Sequence, residues 1–113
     1  MMTDTLDLVL THHWFDEIAH GGKREEYRAN TEYYRKRLTE LKTPLLFSHR
    51  NGYQPVPYKP FKKVRFHRGY TSNTMTWTIE GMGFGHGKKE WGAPDEPVHI
   101  IRLGELLDYP ISA

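Results

Sequence analysis

The segment Gly21–Arg28 combines a tight-turn signal with a cluster of charged side chains that could bind or transform a ligand. Its two glycines can end a helix in the left-handed conformation and redirect the chain, and Tyr27 then favours a strand. On such a strand Arg24, Glu26 and Arg28 share one face. An acid held between two guanidinium groups can bind a polar, partly anionic ligand. The same spacing is also typical of a surface ion-pair ladder.

Lys23 and Glu26 are the residues of this segment best suited to catalysis, because a lysine and a glutamate in one pocket can act as general acid and base. Other catalytic patterns are missing from the sequence. The chain has no cysteine, its seven histidines form neither His-x-His nor His-Glu-x-x-His, and its serines lack a Gly-x-Ser-x-Gly setting. We therefore expect no metal and no cofactor.

A basic strand is a second candidate for ligand binding. Lys63, Arg65 and His67 alternate with apolar residues, so their side chains share one face of the strand. No acidic residue occurs between Lys59 and Tyr70. Such a face is suited to contact with the phosphates of a nucleic acid.

Aromatic residues near these charges could add stacking on bases. Tyr53 lies in Thr43–Pro60, a segment with four prolines and an Asn-Gly pair that predicts a long irregular connection. Trp91 lies in a predicted loop, Glu90–Pro94. Both aromatic side chains could equally cover the hydrophobic core, and the sequence leaves the two roles open.

The first half of the chain supplies the elements that must position the charged segment. Alternating leucines predict a strand over Leu6–Leu10, and Thr11 is placed to cap a helix over His12–His20. A second helix is predicted from Asn30 or Thr31 to about Lys42. On this helix the pattern predicts that three residues are buried together and that three others face solvent. The buried set is Tyr34, Leu38 and Leu41, and the solvent-facing set is Arg35, Lys36 and Lys42.

The second half predicts strands over Lys62–His67, Thr74–Glu80 and Val98–Leu103, the last apolar on both faces and so central in its sheet. At Gly81 the alternation of apolar residues along the strand shifts by one position, which predicts a bulge or bend. The run Gly81–Lys88 matches neither the Walker pattern nor the dinucleotide fingerprint. We expect a helical or extended tail over Glu105–Ile111. The fold class is α+β, with strands that curl into a small β-barrel.

Length and composition set the remaining limits. A chain of 113 residues supports one modest core, so we expect a single domain over residues 1–113. No apolar run reaches the roughly 18 residues of a membrane span, and we expect a soluble, cytoplasmic protein without membrane contact. The net charge of +2 permits a nucleic-acid partner without requiring one. The oligomeric state has no signature in the sequence.

The spacing Gly21-x-Lys23-x-x-Glu26-x-Arg28, after a first strand and helix, resembles the signature of the ASCH domain family. The order of elements also resembles that family over most of the chain. The resemblance implies a PUA-like β-barrel with two main helices covering its openings. It also implies a cleft, lined by the motif, that takes single-stranded RNA or a nucleoside.

Members of this family differ in activity, and the resemblance implies two catalytic possibilities. One branch removes the acetyl group of 4-acetylcytidine with a lysine, a threonine and a glutamate. Lys23 matches that lysine, whereas Glu26 occupies the position of the threonine nucleophile, and Glu90, in the later loop, is a candidate for the glutamate by position alone. A carboxylate cannot replace the hydroxyl without a different intermediate. Another branch cuts RNA with lysine and tyrosine near the cleft, and Lys23, Tyr27 and Tyr53 are the candidates for this role.

Three functions follow from these observations. The favoured one is recognition of RNA or a nucleotide, including a modified nucleoside, by the charged segment and the basic strand. The second is hydrolysis, as a ribonuclease or a nucleoside amidohydrolase, with Lys23, Glu26 and Tyr27 as catalytic residues. The third is a protein-interaction domain that docks a partner through the proline-rich segment and Trp91. The residues expected to bind ligand are Arg24, Arg28, Tyr53, Lys63, Arg65, His67 and Trp91.

Overall fold

The computed structural model describes residues 4–44 and 56–108. Its elements are β1 (Thr5–Leu10), α1 (His12–Ala19), β2 (Glu25–Ala29), α2 (Glu32–Leu38), β3 (Lys63–Arg68), β4 (Thr74–Gly85), a 3-10 turn (Lys89–Trp91) and β5 (Val98–Asp108). This is the α+β arrangement that the sequence predicts. The predictions for Tyr53 and for the tail beyond Asp108 lie outside the described residues.

Within the described residues, the strands form a five-stranded sheet with the order β1-β3-β4-β5-β2. β1 and β3 are parallel, with Asp7 opposite Arg65 and Val9 opposite His67. β3 and β4 are antiparallel, with Val64 opposite Trp77. β5 lies between two other strands, as its apolar character on both faces predicts.

The chain forms two compact units, and β4 and β5 contribute to both. The first unit consists of residues 4–24, Pro60–Gly81 and 102–108. Its buried side chains come from alternate positions of the strands and from one side of α1, which matches the predicted periodicity. The apolar ones are Leu6, Leu8, Leu10, Phe15, Ile18, Val64, Phe66, Met75, Trp77 and Leu103, and Lys23 is buried in the same unit.

The second unit consists of residues 25–44, 56–59 and Met82–Ile101. Its buried residues are Glu26, Arg35, Leu38, Thr39, Ala93, Val98, His99, Ile100 and Ile101. Four of these residues are consecutive on β5, so this part of the strand is buried on both faces. Burial of Glu26, Arg35 and His99 requires internal partners, because an unpaired polar group in a core is costly.

Helix α2 is shorter than the sequence predicts, and the prediction that Arg35 faces solvent is wrong. Thr39 has extended backbone angles and forms an isolated β-bridge with Tyr58, so pairing with a distant segment ends the helix after Leu38. The Arg35 side chain turns inward and donates from Nη1 to the carbonyl oxygen of Leu41 at 2.8 Å. This contact stabilises the turn that replaces the expected last helical turn.

Two strands are longer than predicted. β4 continues through Gly81 to Gly85, and β5 continues beyond Leu103 to Asp108. The predicted N-terminal caps are present, since Thr11 accepts a hydrogen bond from the backbone amide of Trp14 and Thr31 from that of Tyr34. In the part of the chain that the structure describes, no helix has the length and apolar character to cross a bilayer.

Candidate ligand-binding site

Lys23 lies in the first unit, where the chain leaves helix α1. Gly21 takes a positive φ of 82°, the conformation expected of a glycine that follows a helix. The Lys23 side chain is only 2% exposed, and its Nζ lies 4.2 Å from the centroid of the Trp14 ring. A cation over an indole face is attracted by the ring quadrupole. This lysine is therefore held against α1 and buried.

Arg24, also in the first unit, binds the backbone of β5. Its Nη2 donates to the carbonyl oxygens of Leu103 at 3.2 Å and Gly104 at 2.8 Å. The guanidinium carbon lies 5.2 Å from the centroid of the Trp77 ring, and the Arg24 carbonyl accepts from the Leu103 amide. The two hydrogen bonds use two of the five N–H donors of the Arg24 side chain and attach it to the backbone of its own unit.

The basic face of β3 is organised around an acid that the sequence prediction missed. Asp7 on β1 accepts from Nε of Arg65 at 2.7 Å, and its Oδ1 lies 2.8 Å from Nε2 of His67. The hydrogen bond from Arg65 and the nearby positive charges hold the pKa of Asp7 below its ordinary value, against a smaller effect of burial. Two of the three predicted phosphate-binding residues, Arg65 and His67, thus share one carboxylate, whereas Lys63 lies farther along the strand.

In the second unit, Glu26 and Arg28 form a partly buried ion pair on β2. Arg28 Nη2 lies 2.7 Å from Oε2 of Glu26, and its Nη1 donates to the hydroxyl of Tyr34 at 2.9 Å. The Arg28 guanidinium also lies 5.6 Å from the Tyr34 ring centroid. The two residues are at i and i+2 of one strand, so they point to the same face as predicted. The pair is anchored to helix α2 through Tyr34.

Tyr27 points to the other face of β2 and holds the segment that precedes β5. Its hydroxyl donates to Oε1 of Glu25 at 2.8 Å and accepts from the backbone amide of Lys88 at 3.0 Å. Burial and the neighbouring carboxylate of Glu25 raise the pKa of Tyr27 far above its ordinary value. The phenol therefore stays protonated near neutral pH and is poorly suited to act as a general base.

Replacement of Tyr27 by Phe is expected to lower the free energy of unfolding by about 1 kcal/mol, because it removes both hydrogen bonds and keeps the ring. Urea denaturation of the purified variant measures this loss. Tyr33→Phe is the matched control, since the Tyr33 side chain is largely exposed. Equal stability of the two variants would contradict the structural role given to the Tyr27 hydroxyl.

Trp91 lies at the end of the 3-10 turn in the second unit and is half-buried. Nζ of Lys88 lies 4.3 Å from the centroid of its ring. Gly92 follows with a positive φ of 92° and ends the turn. Trp91 therefore carries a cation on its ring, and both roles predicted for it, stacking and covering the core, stay open.

A pocket of about 470 Å³ lies within the second unit, where β2 meets helix α2. Its walls are largely apolar and include a few polar groups, the composition typical of small-molecule sites. The lining residues are Ala29, Asn30, Thr31, Phe84, Pro94, Glu96, Pro97 and Val98. Sequence analysis marked Asn30 and Thr31 only as helix caps and did not assign Phe84 to a site. The pocket is formed by three segments that are separate in the sequence, so no local sequence pattern predicts it.

No three His, Asp or Glu side chains within residues 4–44 and 56–108 are grouped as metal ligands.

Comparisons of the chain with models of protein families, with curated proteins and with solved structures find no significant match. The function has to follow from the chemistry of the residues themselves.

Proposed function

We propose that this protein binds RNA or a nucleotide and recognises an unpaired base or a nucleoside, as a member of the ASCH family with a PUA-like barrel. The motif Gly21-x-Lys23-x-x-Glu26-x-Arg28 supports the family assignment. The order of the first four elements, strand, helix, strand and helix, agrees with it. The observation that carries the proposal is the pocket of the second unit that contains Phe84, whose described lining residues do not include those of the motif.

The chemistry of this pocket suits a nucleobase. A base is a flat ring with a polar edge, so it needs an aromatic or apolar wall and hydrogen-bonding groups at one side. Phe84 and Val98 supply the wall, together with the rings of two prolines. Asn30 offers both a donor and an acceptor, and Glu96 offers an acceptor for an exocyclic amine.

The size of the pocket agrees with the same ligand. A volume of about 470 Å³ lies within the range of roughly 300–1,000 Å³ that is usual for small-molecule sites. Such a volume suits one nucleoside better than a longer stretch of RNA. The rest of a bound strand would then lie outside the pocket and contact surface residues.

The contacts of the predicted catalytic residues favour recognition over hydrolysis. The Tyr27 phenol has a raised pKa and is bound by Glu25 and the Lys88 amide. Glu26 is paired with Arg28 at 2.7 Å, so this carboxylate already has a cationic partner within its own strand. Lys23 lies buried against Trp14. Each of these side chains has a packing role that does not need a reaction.

Replacement of Phe84 by Ala is expected to weaken nucleoside binding by about tenfold, since loss of stacking on one base costs roughly 1–3 kcal/mol. Isothermal titration calorimetry with uridine, cytidine, adenosine and guanosine measures the affinity of each variant. Tyr70→Ala is the matched control, because Tyr70 is an aromatic residue of the first unit that is 99% exposed.

Equal affinities of Phe84→Ala and wild type, or absence of binding by all four nucleosides, would reject the proposed site. A parallel incubation with 4-acetylcytidine and single-stranded RNA tests the hydrolase alternative. Product formed by the wild type and lost in Lys23→Ala would establish an enzyme instead.

A further inference from the structure

A second pocket of the same unit, about 280 Å³ in volume, lies where helix α2 ends and is strongly basic. The described residues that line it include four cationic side chains and one acidic side chain. The residues are Arg35, Lys36, Thr39, Glu40, Leu41, Lys42 and Lys59. The cations come from the helix, from the turn after it and from the segment before β3, so they are not neighbours on one surface helix.

Two of these cations are held in place by hydrogen bonds. Lys59 donates from its backbone amide to the carbonyl of Leu38 at 2.8 Å and from Nζ to the carbonyl of Lys36 at 2.7 Å. The Arg35 side chain is 10% exposed and is fixed by the carbonyl of Leu41. A ligand therefore meets charges whose positions are already set, which lowers the entropy cost of binding.

The end of a helix normally repels anions, because its last carbonyl groups carry partial negative charge. Here three of those carbonyls already accept hydrogen bonds. The Arg35 carbonyl accepts from the hydroxyl and amide of Thr39, and Lys59 covers the carbonyls of Lys36 and Leu38. The usual repulsion is thereby reduced.

Internal acids compensate only part of the positive charge. Oε1 of Glu32 lies 3.5 Å from Arg35 and 3.4 Å from Lys36, outside the pocket lining. Glu40 is the acid within the lining. Lys42 and Lys59 add two further positive charges, so the pocket keeps an excess of positive charge over these two carboxylates.

We propose that this basic pocket binds a phosphate group, and specifically a backbone phosphate of the RNA strand whose base occupies the Phe84 pocket. The inference rests on the proposed function and extends it with a second contact point. Lysine ammonium groups and a fixed guanidinium are the groups that proteins use to bind phosphate oxygens. None of the described lining residues is aromatic, so the pocket suits a phosphate better than a second base.

Inorganic phosphate is the first probe, followed through the backbone amide resonances of Glu40, Leu41 and Lys42 in a nitrogen-15-labelled sample. Charge reversal in Lys42→Glu is expected to weaken phosphate binding by about tenfold, because it replaces an attraction by a repulsion at short range. Lys42 is exposed, so the variant should fold. Lys89→Glu is the matched control, an exposed lysine of the same unit outside the pocket.

The second probe is a tetranucleotide of uridine, compared with uridine and uridine monophosphate. Lys42→Glu should weaken tetranucleotide binding and reduce the slope of log K against log salt by about 1, the value expected for one lost phosphate contact. Uridine affinity should stay unchanged in this variant. Tighter binding of uridine monophosphate than of the tetranucleotide would assign the pocket to a phosphorylated small molecule and overturn the RNA assignment.

Equal losses in Lys42→Glu and Lys89→Glu, or no response of the three amides to phosphate, would overturn the proposed phosphate site. Failure of the base site gives a different result. In that case uridine does not bind at all, while phosphate still shifts the amides of wild type and not those of Lys42→Glu.

Discussion

Acidification from pH 6.5 to pH 4 is expected to lower the free energy of unfolding by about 3 kcal/mol through one buried histidine, His99. His99 is 1% exposed, on the part of β5 that belongs to the second unit. Burial lowers its pKa from 6.5 to about 4. The folded protein thus keeps this imidazole neutral over a pH range in which the unfolded chain takes up a proton.

The hydrogen bonds around His99 explain why its proton uptake is unfavourable. The Tyr58 hydroxyl lies 2.8 Å from the carbonyl oxygen of Gly83 and 2.8 Å from Nδ1 of His99. A phenol has a single proton, and the Tyr58 hydroxyl donates it in the hydrogen bond to the Gly83 carbonyl. Nδ1 of His99 therefore carries a proton and donates a hydrogen bond to the Tyr58 oxygen. Nε2 is then unprotonated, buried and without a hydrogen-bond partner among the described residues. A proton added there would create a charge that no described acceptor stabilises.

The direction of the pH effect follows from linkage. Between pH 6.5 and about 4 the unfolded state binds more protons than the folded state, so stability falls as pH falls and levels off below about 4. Asp7 and Asp16 have lowered pKa values through hydrogen bonds from Arg65 and Arg68. Their stabilising effect is present above their ordinary value of 3.8 and is lost below it, so the two effects occupy different pH windows.

Urea denaturation at several pH values between 7 and 4 measures this slope, and His99→Gln is the control that removes the titrating group. The slope between pH 6.5 and 4 should be shallower in the variant, whatever its stability at pH 7. A proton resonance of His99 that titrates near 6.5 in the folded protein would contradict the prediction.

Local patterns were sufficient for most elements and insufficient wherever a distant segment decides the outcome. The alternating leucines of β1 and the Thr11 cap of α1 depend on neighbours in the sequence, and both predictions are confirmed. The end of α2 depends on Tyr58, which pairs with Thr39 across an interval of 19 positions. Helical periodicity alone cannot anticipate that bridge, so the predicted helix was too long.

The same distinction applies to the candidate site, where contacts within one strand are predictable from the sequence and contacts between distant strands are not. The Glu26–Arg28 pair follows from the period of a strand, whereas Asp7 meets Arg65 only because β1 and β3 pair in parallel. A basic face predicted from β3 alone therefore overlooks its own counterion. Parallel pairing joins segments far apart in sequence, and single-strand patterns do not reveal the register.

The glycine-rich run Gly81–Lys88 shows how composition can indicate a constraint without its cause. The run lacks a phosphate-loop pattern, and Gly87 does not take a positive φ. A methyl group at Gly87 would lie 2.5 Å from Cε1 of Tyr27 and 2.7 Å from Cβ of Ala93. Glycine is required at this position because the Tyr27 ring approaches closely, and not because the backbone takes an unusual angle.

Replacement of Gly87 by Ala is therefore expected to lower the free energy of unfolding by about 2–3 kcal/mol, the upper part of the range for overpacking a tight contact. The Tyr27 ring cannot move away easily, because its hydroxyl is bound to Glu25 and to the amide of Lys88. The segment from Gly87 to Pro97 must shift instead. Since this segment supplies Glu96 to the Phe84 pocket, nucleoside affinity should fall as well.

Gly81→Ala is the matched control, since a methyl group there meets no atom within 4 Å. Urea denaturation should separate the two variants clearly. In a Tyr27→Ala background part of the additional cost of Gly87→Ala should disappear, because the clash with the ring is gone and only the close contact with Cβ of Ala93 remains. If Gly87→Ala is as stable as Gly81→Ala, or costs as much without the ring as with it, Tyr27 does not set the requirement for glycine. The segment from Gly87 to Pro97 would then not hold Glu96 in a fixed position. The pocket would lack a fixed hydrogen-bond acceptor for a base.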